Sequence, residues 1–232
     1  MKRIAAFLML FLIRQGFAVG ADLQPHVQLI LNSPDASITG TFDLPASAPL
    51  IDSLFSNPIL VARLWEAYDF TPRYKARIQG KAIHLDDPTG IQGDIHLVEA
   101  TPTRRVYYGT GALNHKLVPA FRGRMALVLT TSPRGSGVSA CVDVYIRTES
   151  RVLGALARSM FPLIRTRAQH RMTANVHDIC TILNDISTAS QQAAARLKNK
   201  EDAAALIGLL HPAAEARDTT ESQTQAKGRQ RR

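Results

Sequence analysis

Asp94 and His96 are the residues best suited by type to acid–base chemistry, since a carboxylate beside an imidazole can move protons to and from a substrate. They share one face of a predicted strand, and Glu99 is near them in the chain. By the two-residue repeat of a strand, Asp94 and His96 point away from Ile95 and Leu97. That placement favours a polar outer face, and we predict no catalytic residue.

Two histidines on a predicted helix could suggest a metal site. His170 and His177 lie two turns apart, with Asp178 adjacent, whereas metal-binding pairs on helices usually have i,i+3 or i,i+4 spacing. Residues 135–137 lack the frame of a nucleophile elbow. Residues 109–111 lack the third glycine of a dinucleotide loop. The sequence contains no Walker-type loop, paired CxxC or HExxH, and we expect no metal and no cofactor.

The composition of the chain limits the classes of protein to which it can belong. The chain has 232 residues, of which 45% are hydrophobic, enough for a substantial core. Its formal charge of +9 favours acidic partners such as anionic lipid head groups or nucleic acid, although the charge could also serve solubility alone. Aromatic residues make up only 6%, too few for the stacking surface of a single-strand binder. We therefore expect no nucleic-acid partner.

The N-terminus has the pattern of an export signal. Lys2 and Arg3 precede the apolar run 4–13, and small residues at 18–21 offer cleavage sites. The run is shorter than the roughly 20 apolar residues that span a bilayer. Arg14 directly follows the run, which leaves an uncleaved anchor as the alternative. We predict a signal peptide over 1–21 and a periplasmic or secreted protein, with membrane association also open.

The middle of the chain alternates like a series of strands. Residues 27–31 could form an edge strand or an extended arm, and residues 47–67 predict two short helices split at Asn57-Pro58. The alternating segments, joined by turns and by a looser connection over 111–120, are 37–44, 73–85, 91–100, 104–110 and 138–147. Residues 123–131 are apolar on both faces, which predicts a strand covered on both sides. Cys141 falls on a polar strand face and Cys180 on the following helix. We therefore predict no disulfide between them, because the sheet would separate the thiols.

Residues 148–187 predict a long terminal helix. Ser150 is a suitable N-cap, and Pro162 predicts a kink or break near Phe161. Apolar residues then recur at steps of three and four, at Ile164, Ala168, Met172, Val176, Ile179, Leu183 and Ile186. A stripe of this length needs a large partner. We therefore predict an α+β fold in which a curved antiparallel sheet wraps around the long C-terminal helix, with two short helices after the first strand.

The order of elements over about 36–187 resembles the START-like (SRPBCC) superfamily, the helix-grip fold. The segment 147–154, Arg-Thr-Glu-Ser-Arg-Val-Leu-Gly, which joins the last strand to the helix, also resembles members of this group. The resemblance implies an apolar ligand held between the sheet and the long helix, as in lipid and sterol carriers, polyketide cyclases and quinone-binding proteins. No catalytic set carries over. The domains would be 1–21, the signal; 22–187, the START-like domain; and 188–232, an Ala-rich segment with a possible short helix at 197–210 and a disordered basic tail.

The expected function is that of an exported, monomeric binding protein that holds a lipid or other apolar molecule, with an anionic membrane surface as a further partner. The alternatives are a cyclase- or hydrolase-like enzyme using Asp94, His96 or a pocket tyrosine, and a protein-interaction module with a filled core. Methionines adapt to irregular ligands, and aromatic rings add apolar area with a polar handle, although each such residue could be plain core. The candidate lining residues are Trp65, Tyr74, Tyr108, Met125, Val142, Val144, Met160, Ile164 and Met172.

Overall fold

The computed structural model describes residues 21–87, 91–115, 118–135 and 137–210. The predicted signal up to residue 20 and the predicted tail from residue 211 lie outside these ranges. The elements in chain order are α1 (Gln24–Asn32), β1 (Ala36–Leu44), α2 (Ala48–Phe55), α3 (Pro58–Ala67), β2 (Lys75–Gln79), β3 (Ala82–Asp87), β4 (Ile91–Ala100), β5 (Arg104–His115), β6 (Val118–Arg134), β7 (Gly137–Thr148), α4 (Arg151–Ala195) and α5 (Lys200–Leu210).

The strands form one seven-stranded antiparallel sheet in the order β1-β7-β6-β5-β4-β3-β2. Strands β2 to β7 follow one another as hairpins, and β1 pairs with β7 at one edge of the sheet. On the face that we call the inner face, Val138, Ala140, Val142 and Val144 of β7 are buried in the main core, as the alternation predicted. Helix α4 packs mainly on β1 and β7 from this side. The arrangement is a helix grip and confirms the predicted fold class.

Two of the predicted strand boundaries are wrong. The segment 73–85 is two strands, because Gly80, with φ +61°, turns the chain between β2 and β3. The predicted loose connection over 111–120 is largely strand, with β5 reaching His115 and β6 starting at Val118. Gly111 pairs with both Gly93 and Gly123. Backbone pairing with two neighbours thus maintains a strand in a segment whose side chains have low strand propensity.

The prediction of a strand or arm over 27–31 is also wrong, since these residues belong to helix α1. Pro25 lies in the first turn of α1, where its missing N–H costs nothing. Val27 and Ile30, one turn apart, are 1% and 0% exposed and pack on the outer face of the sheet. Strand β6 is consequently covered on both sides, as its apolar sequence predicted.

Helix α4 begins as predicted and continues further than predicted. The amide of Leu153 donates to Oγ of Ser150, which confirms the N-cap. The expected break near Phe161 is wrong, because the helix runs through Pro162. Pro162 is exposed, so the carbonyl that loses its intrahelical partner can bind water. The departure from helical geometry comes instead at Ala189, with φ −147° and ψ 54°.

Replacing Pro162 with alanine is expected to stabilise the protein by about 2 kcal/mol. Proline in a helix interior costs roughly 3 kcal/mol relative to alanine, and its rigidity in the unfolded chain returns up to about 1 kcal/mol. Urea unfolding followed by circular dichroism measures the change. If the urea concentration at the midpoint of unfolding is unchanged or lower, the result would contradict a helix that runs through Pro162.

Residues 188–210 pack into the same core as the preceding sheet and helices, whereas the sequence analysis placed them outside the domain. Ala193, Leu197 and Leu206 are buried there. The hydroxyl of Tyr68, the residue that follows α3, donates to Asp185 on α4 at 2.8 Å, which ties the end of α3 to α4. The predicted short helix at 197–210 corresponds to α5. Of the helices in the described ranges, none has the length and apolarity needed to cross a bilayer.

Candidate ligand-binding site

Most of the predicted lining residues lie together between the inner face of the sheet and the helices. Those buried in this main core are Trp65, Tyr74, Met125, Val142, Val144 and Met172. The side chains of Met160 and Ile164 lie outside the described part of the structure, although both residues are within α4.

Tyr108 lies on the other side of the sheet, so its predicted place beneath the terminal helix is wrong. It packs in the smaller cluster under α1, with its ring centroid 5.8 Å from that of His26. Its neighbour Tyr107 takes the inner-face position in β5. The sequence grouped Val106 and Tyr108 correctly on one face. It assigned the wrong face because α1, which covers that face, was not recognised.

An aromatic group positions Tyr74 at the inner face. Trp65, the single tryptophan of the chain, is 1% exposed and donates its indole N–H to the carbonyl of Pro72 at 2.9 Å. Its ring centroid lies 5.2 Å from that of Phe70 and 5.7 Å from that of Tyr74. This contact fixes the loop between α3 and β2, so the hydroxyl of Tyr74 is directed towards α4.

Three polar side chains meet in this apolar surrounding, and we call them the buried polar cluster: Tyr74, Arg171 and Asn175. Nη2 of Arg171 and Nδ2 of Asn175 each donate to the hydroxyl oxygen of Tyr74 at 3.3 Å. Asn175 is only 1% exposed. Within the described ranges, Oδ1 of Asn175 and Nε of Arg171 are buried without a hydrogen-bond partner. Such groups are rare in protein interiors and need an explanation.

Carboxyl groups lie close to the buried polar cluster. Burial raises the pKa of Tyr74, and Asp87, itself 1% exposed, raises it further, while Arg171 and Asn175 oppose the shift. Burial also raises the pKa of Asp178, one turn beyond Asn175, against the opposing effect of Arg171. Asn175 is a site residue that was not predicted from the sequence. It could have been found, because Asn175 lies between Met172 and Ile179 at steps of three and four on the apolar stripe.

Asp178→Asn is expected to stabilise the protein at neutral pH. A raised pKa means that the folded state binds the proton of Asp178 more tightly than the unfolded state does. Wild type therefore loses stability as the pH rises through that pKa, whereas asparagine does not. The difference should vanish below the ordinary aspartate value of about 3.9, where both side chains are neutral. Thermal unfolding from acid to neutral pH measures it, and equal stability throughout would contradict the prediction.

A row of glycines crosses the inner face of the sheet. Gly93, Gly111 and Gly123 pair with one another across β4, β5 and β6. Because Ile95 and Met125 are on the inner face, the glycines two residues away from them lie there too. A Cβ at Gly111 would lie 2.8 Å from the carbonyl oxygen of Gln92, and one at Gly93 would overlap that of Thr110. The row therefore leaves bare, closely spaced backbone on this part of the inner face.

The residues considered for acid–base chemistry lie on the outer side, as predicted. Ile95 and Leu97 are buried in the main core, and Asp94 points the other way, with Oδ1 2.8 Å from Nδ1 of His84. Glu99 forms an ion pair with Arg104. Within the described ranges, no group of three or more His, Cys, Asp or Glu residues could hold a metal ion.

No protein-family model matches the chain, and no curated protein matches it. Among solved structures, it is similar to protein Ms6760 from Mycobacterium smegmatis, with 12% identity, 64% of this chain and 90% of that chain covered, and a TM-score of 0.43. It is also similar to protein Mll3558 from Rhizobium loti, with 15% identity over 59% and 96% of the two chains and a TM-score of 0.35. The chain is also similar to Ara h 8.0201, with 10% identity, 58% of this chain and 98% of that chain covered, and a TM-score of 0.34. Likenesses this weak carry no argument about function.

A groove of about 400 Å³ between α1 and the start of α4 is rich in arginine, but its charges already have structural partners. Arg147 donates to the carbonyls of Leu29 and Ser33, which caps the end of α1. Arg158 pairs with Asp35. The groove therefore joins two helices to the sheet and is a weak candidate for a ligand site.

The two cysteines are free thiols. Sγ of Cys141 lies 3.9 Å from a carboxylate oxygen of Asp143 on β7, while Cys180 faces the carbonyl of Asp43 from α4 at 3.6 Å. Burial raises the pKa of Cys180. Neither thiol belongs to the buried polar cluster.

Proposed function

We propose that this protein is a START-like binding protein that holds a lipid or other apolar small molecule between the inner face and α4. The observation that carries the proposal is the buried polar cluster, with Oδ1 of Asn175 and Nε of Arg171 unpartnered within the described ranges. Ligand sites commonly combine apolar walls with a few such polar groups, which fix the orientation of the ligand.

The energetics suit a carrier. Each CH₂ group removed from water contributes about 0.8 kcal/mol, so a chain of a few carbons would already bind measurably. Helices α2 and α3 would gate the entrance. The ion pair of Asp52 with Arg105 ties α2 to β5, and that of Arg63 with Asp202 ties α3 to α5. Opening would require these contacts to break.

A second candidate is an enzyme that acts on an apolar substrate in the same place. The observation that favours it is a buried titratable group at this place, Tyr74, whose pKa is raised by burial and raised further by the charge of Asp87. Acid–base catalysis requires a titratable group facing the ligand. A carrier would return its ligand chemically unchanged, whereas an enzyme would alter it.

Native mass spectrometry of the purified mature protein, followed by organic extraction, is the first test. We expect an apolar molecule at a defined stoichiometry. Titration with N-phenyl-1-naphthylamine, a neutral fluorescent probe, should quench Trp65, because the indole lies beside Tyr74. Tyr108→Phe, on the other side of the sheet, is the matched control and should leave the titration unchanged. A protein that is empty and fails to bind the probe would overturn the proposal.

Export and membrane association are part of the proposal. Residues 1–21 would direct the chain to the periplasm or outside, and the charge of +9 would favour anionic membranes once the protein is there. N-terminal sequencing of the mature protein tests the first point, with a start near residue 22 expected. Co-sedimentation with anionic and with neutral vesicles tests the second.

A further inference from the structure

We propose that the ligand carries an uncharged hydroxyl group at its polar end, and that Asn175 and Arg171 bind this group. The inference rests on the proposed function, since it assigns the chemical class of the molecule held at the same site. The ligand would be an apolar alcohol, phenol or sterol-like molecule, and an ionised acid would be a poor fit.

The first argument is the pairing of unmet hydrogen-bond groups. Nε–H of Arg171 needs an acceptor, and the carbonyl end of Asn175 needs a donor. A hydroxyl group provides both at one atom. A ligand without a polar end would leave both groups buried and unpaired, at a cost.

The second argument is the proton that the ligand must supply. Oδ1 of Asn175 is an acceptor without a partner in the described ranges. An ionised carboxylate only accepts hydrogen bonds, so it could bind Nε–H of Arg171 but would leave Oδ1 of Asn175 buried and unpaired, at a cost. A hydroxyl group can donate its proton to Oδ1 and accept from Nε–H.

The third argument is burial. At 1% exposure, Asn175 cannot satisfy its free end with bulk water. Its neighbours Met172 and Ile179 on α4 are also buried in the main core. A polar asparagine at this position of an apolar stripe lowers the stability of the empty fold and becomes favourable when a partner arrives.

The test compares three probes that share a ten-carbon chain: 1-decanol, decanoate and decane. Each is titrated at neutral pH against the full mature protein, delipidated by extraction, with Trp65 emission as the readout. We expect 1-decanol to bind about tenfold more tightly than either of the others, which corresponds to about 1.4 kcal/mol. Decanoate binding as tightly as 1-decanol, or all three binding equally, would overturn the inference and leave the proposed function standing. Binding of none of them would overturn both.

Variants separate recognition from stability. Asn175→Leu keeps the approximate shape and is expected to weaken 1-decanol about tenfold while changing decane less than about twofold. Asn184→Leu, an exposed asparagine on the same helix, is the matched control and should change neither. Equal losses for both probes in Asn175→Leu would indicate a purely structural residue and contradict the inference. If that variant does not fold, the ranking of the three probes by the wild-type protein still decides.

Discussion

Replacing Asp52 with asparagine is expected to lower the free energy of unfolding by about 3 kcal/mol. Arg105 is only 4% exposed, and its guanidinium pairs with the carboxylate of Asp52 on α2. Without the carboxylate, a buried cation keeps the full cost of leaving water and loses its counter-charge. Urea unfolding followed through Trp65 emission measures the change.

Two controls make the result specific. Asp43→Asn removes the same charge from an exposed pair, in which Arg134 lies 2.7 Å from Asp43, and should cost less than about 1 kcal/mol. The double variant Asp52→Leu with Arg105→Met should recover most of the loss, because well-packed apolar residues often replace a buried ion pair without cost. Equal effects of Asp52→Asn and Asp43→Asn would show that burial of Arg105 is not costly.

Gly93→Ala is expected to destabilise the protein by about 2–3 kcal/mol. The new Cβ would overlap the carbonyl oxygen of Thr110, a backbone atom of the adjacent strand that cannot rotate away. The strands β4 and β5 would have to separate. Thermal and urea unfolding measure the loss, which should be accompanied by weaker N-phenyl-1-naphthylamine binding, because the glycine row is part of the proposed site.

Gly208→Ala is the control with the same chemical change and the opposite expected sign. Gly208 lies within α5, and among the described residues nothing beyond its chain neighbours and its own helix backbone lies within 4 Å of the added Cβ. Alanine should therefore stabilise the helix by up to about 1 kcal/mol. A neutral Gly93→Ala variant would indicate that the sheet yields easily at the glycine row, contrary to the close approach of its backbones.

The fold was largely predictable, because the spacing of apolar residues along the sequence indicates which side of each strand or helix is buried. The two-residue repeat of residues 138–147 placed the correct side of β7 inside, and the apolar stripe of α4 predicted a helix packed on the sheet. Short apolar runs are ambiguous, so residues 27–31 were wrongly assigned to a strand or arm. This error led to a second one, the wrong face for Tyr108. Both faces of a strand that is covered on both sides are apolar. Without α1, the sequence therefore did not show which face of the sheet Tyr108 occupies.

The polar part of the candidate site was not predictable in the same way. Arg171 is not one of the residues of the apolar stripe, and polar residues on a helix are usually exposed. Its role depends on Tyr74, which is almost one hundred residues away in the chain and reaches α4 only because Trp65 holds the loop after α3. Contacts between distant segments depend on the register and curvature of the sheet, which local patterns do not encode.

The pairing of β1 with β7 has a consequence for folding during synthesis. Ala36 pairs with Ile146, so the first strand has no partner until the last strand has been synthesised. Contacts so far apart in sequence form slowly, because a long loop must close before any pairing is gained. A chain emerging from the ribosome would thus lack this strand pair for most of its synthesis. Under the export that we propose, a translocation channel that threads unfolded polypeptide would receive a chain that has not yet folded.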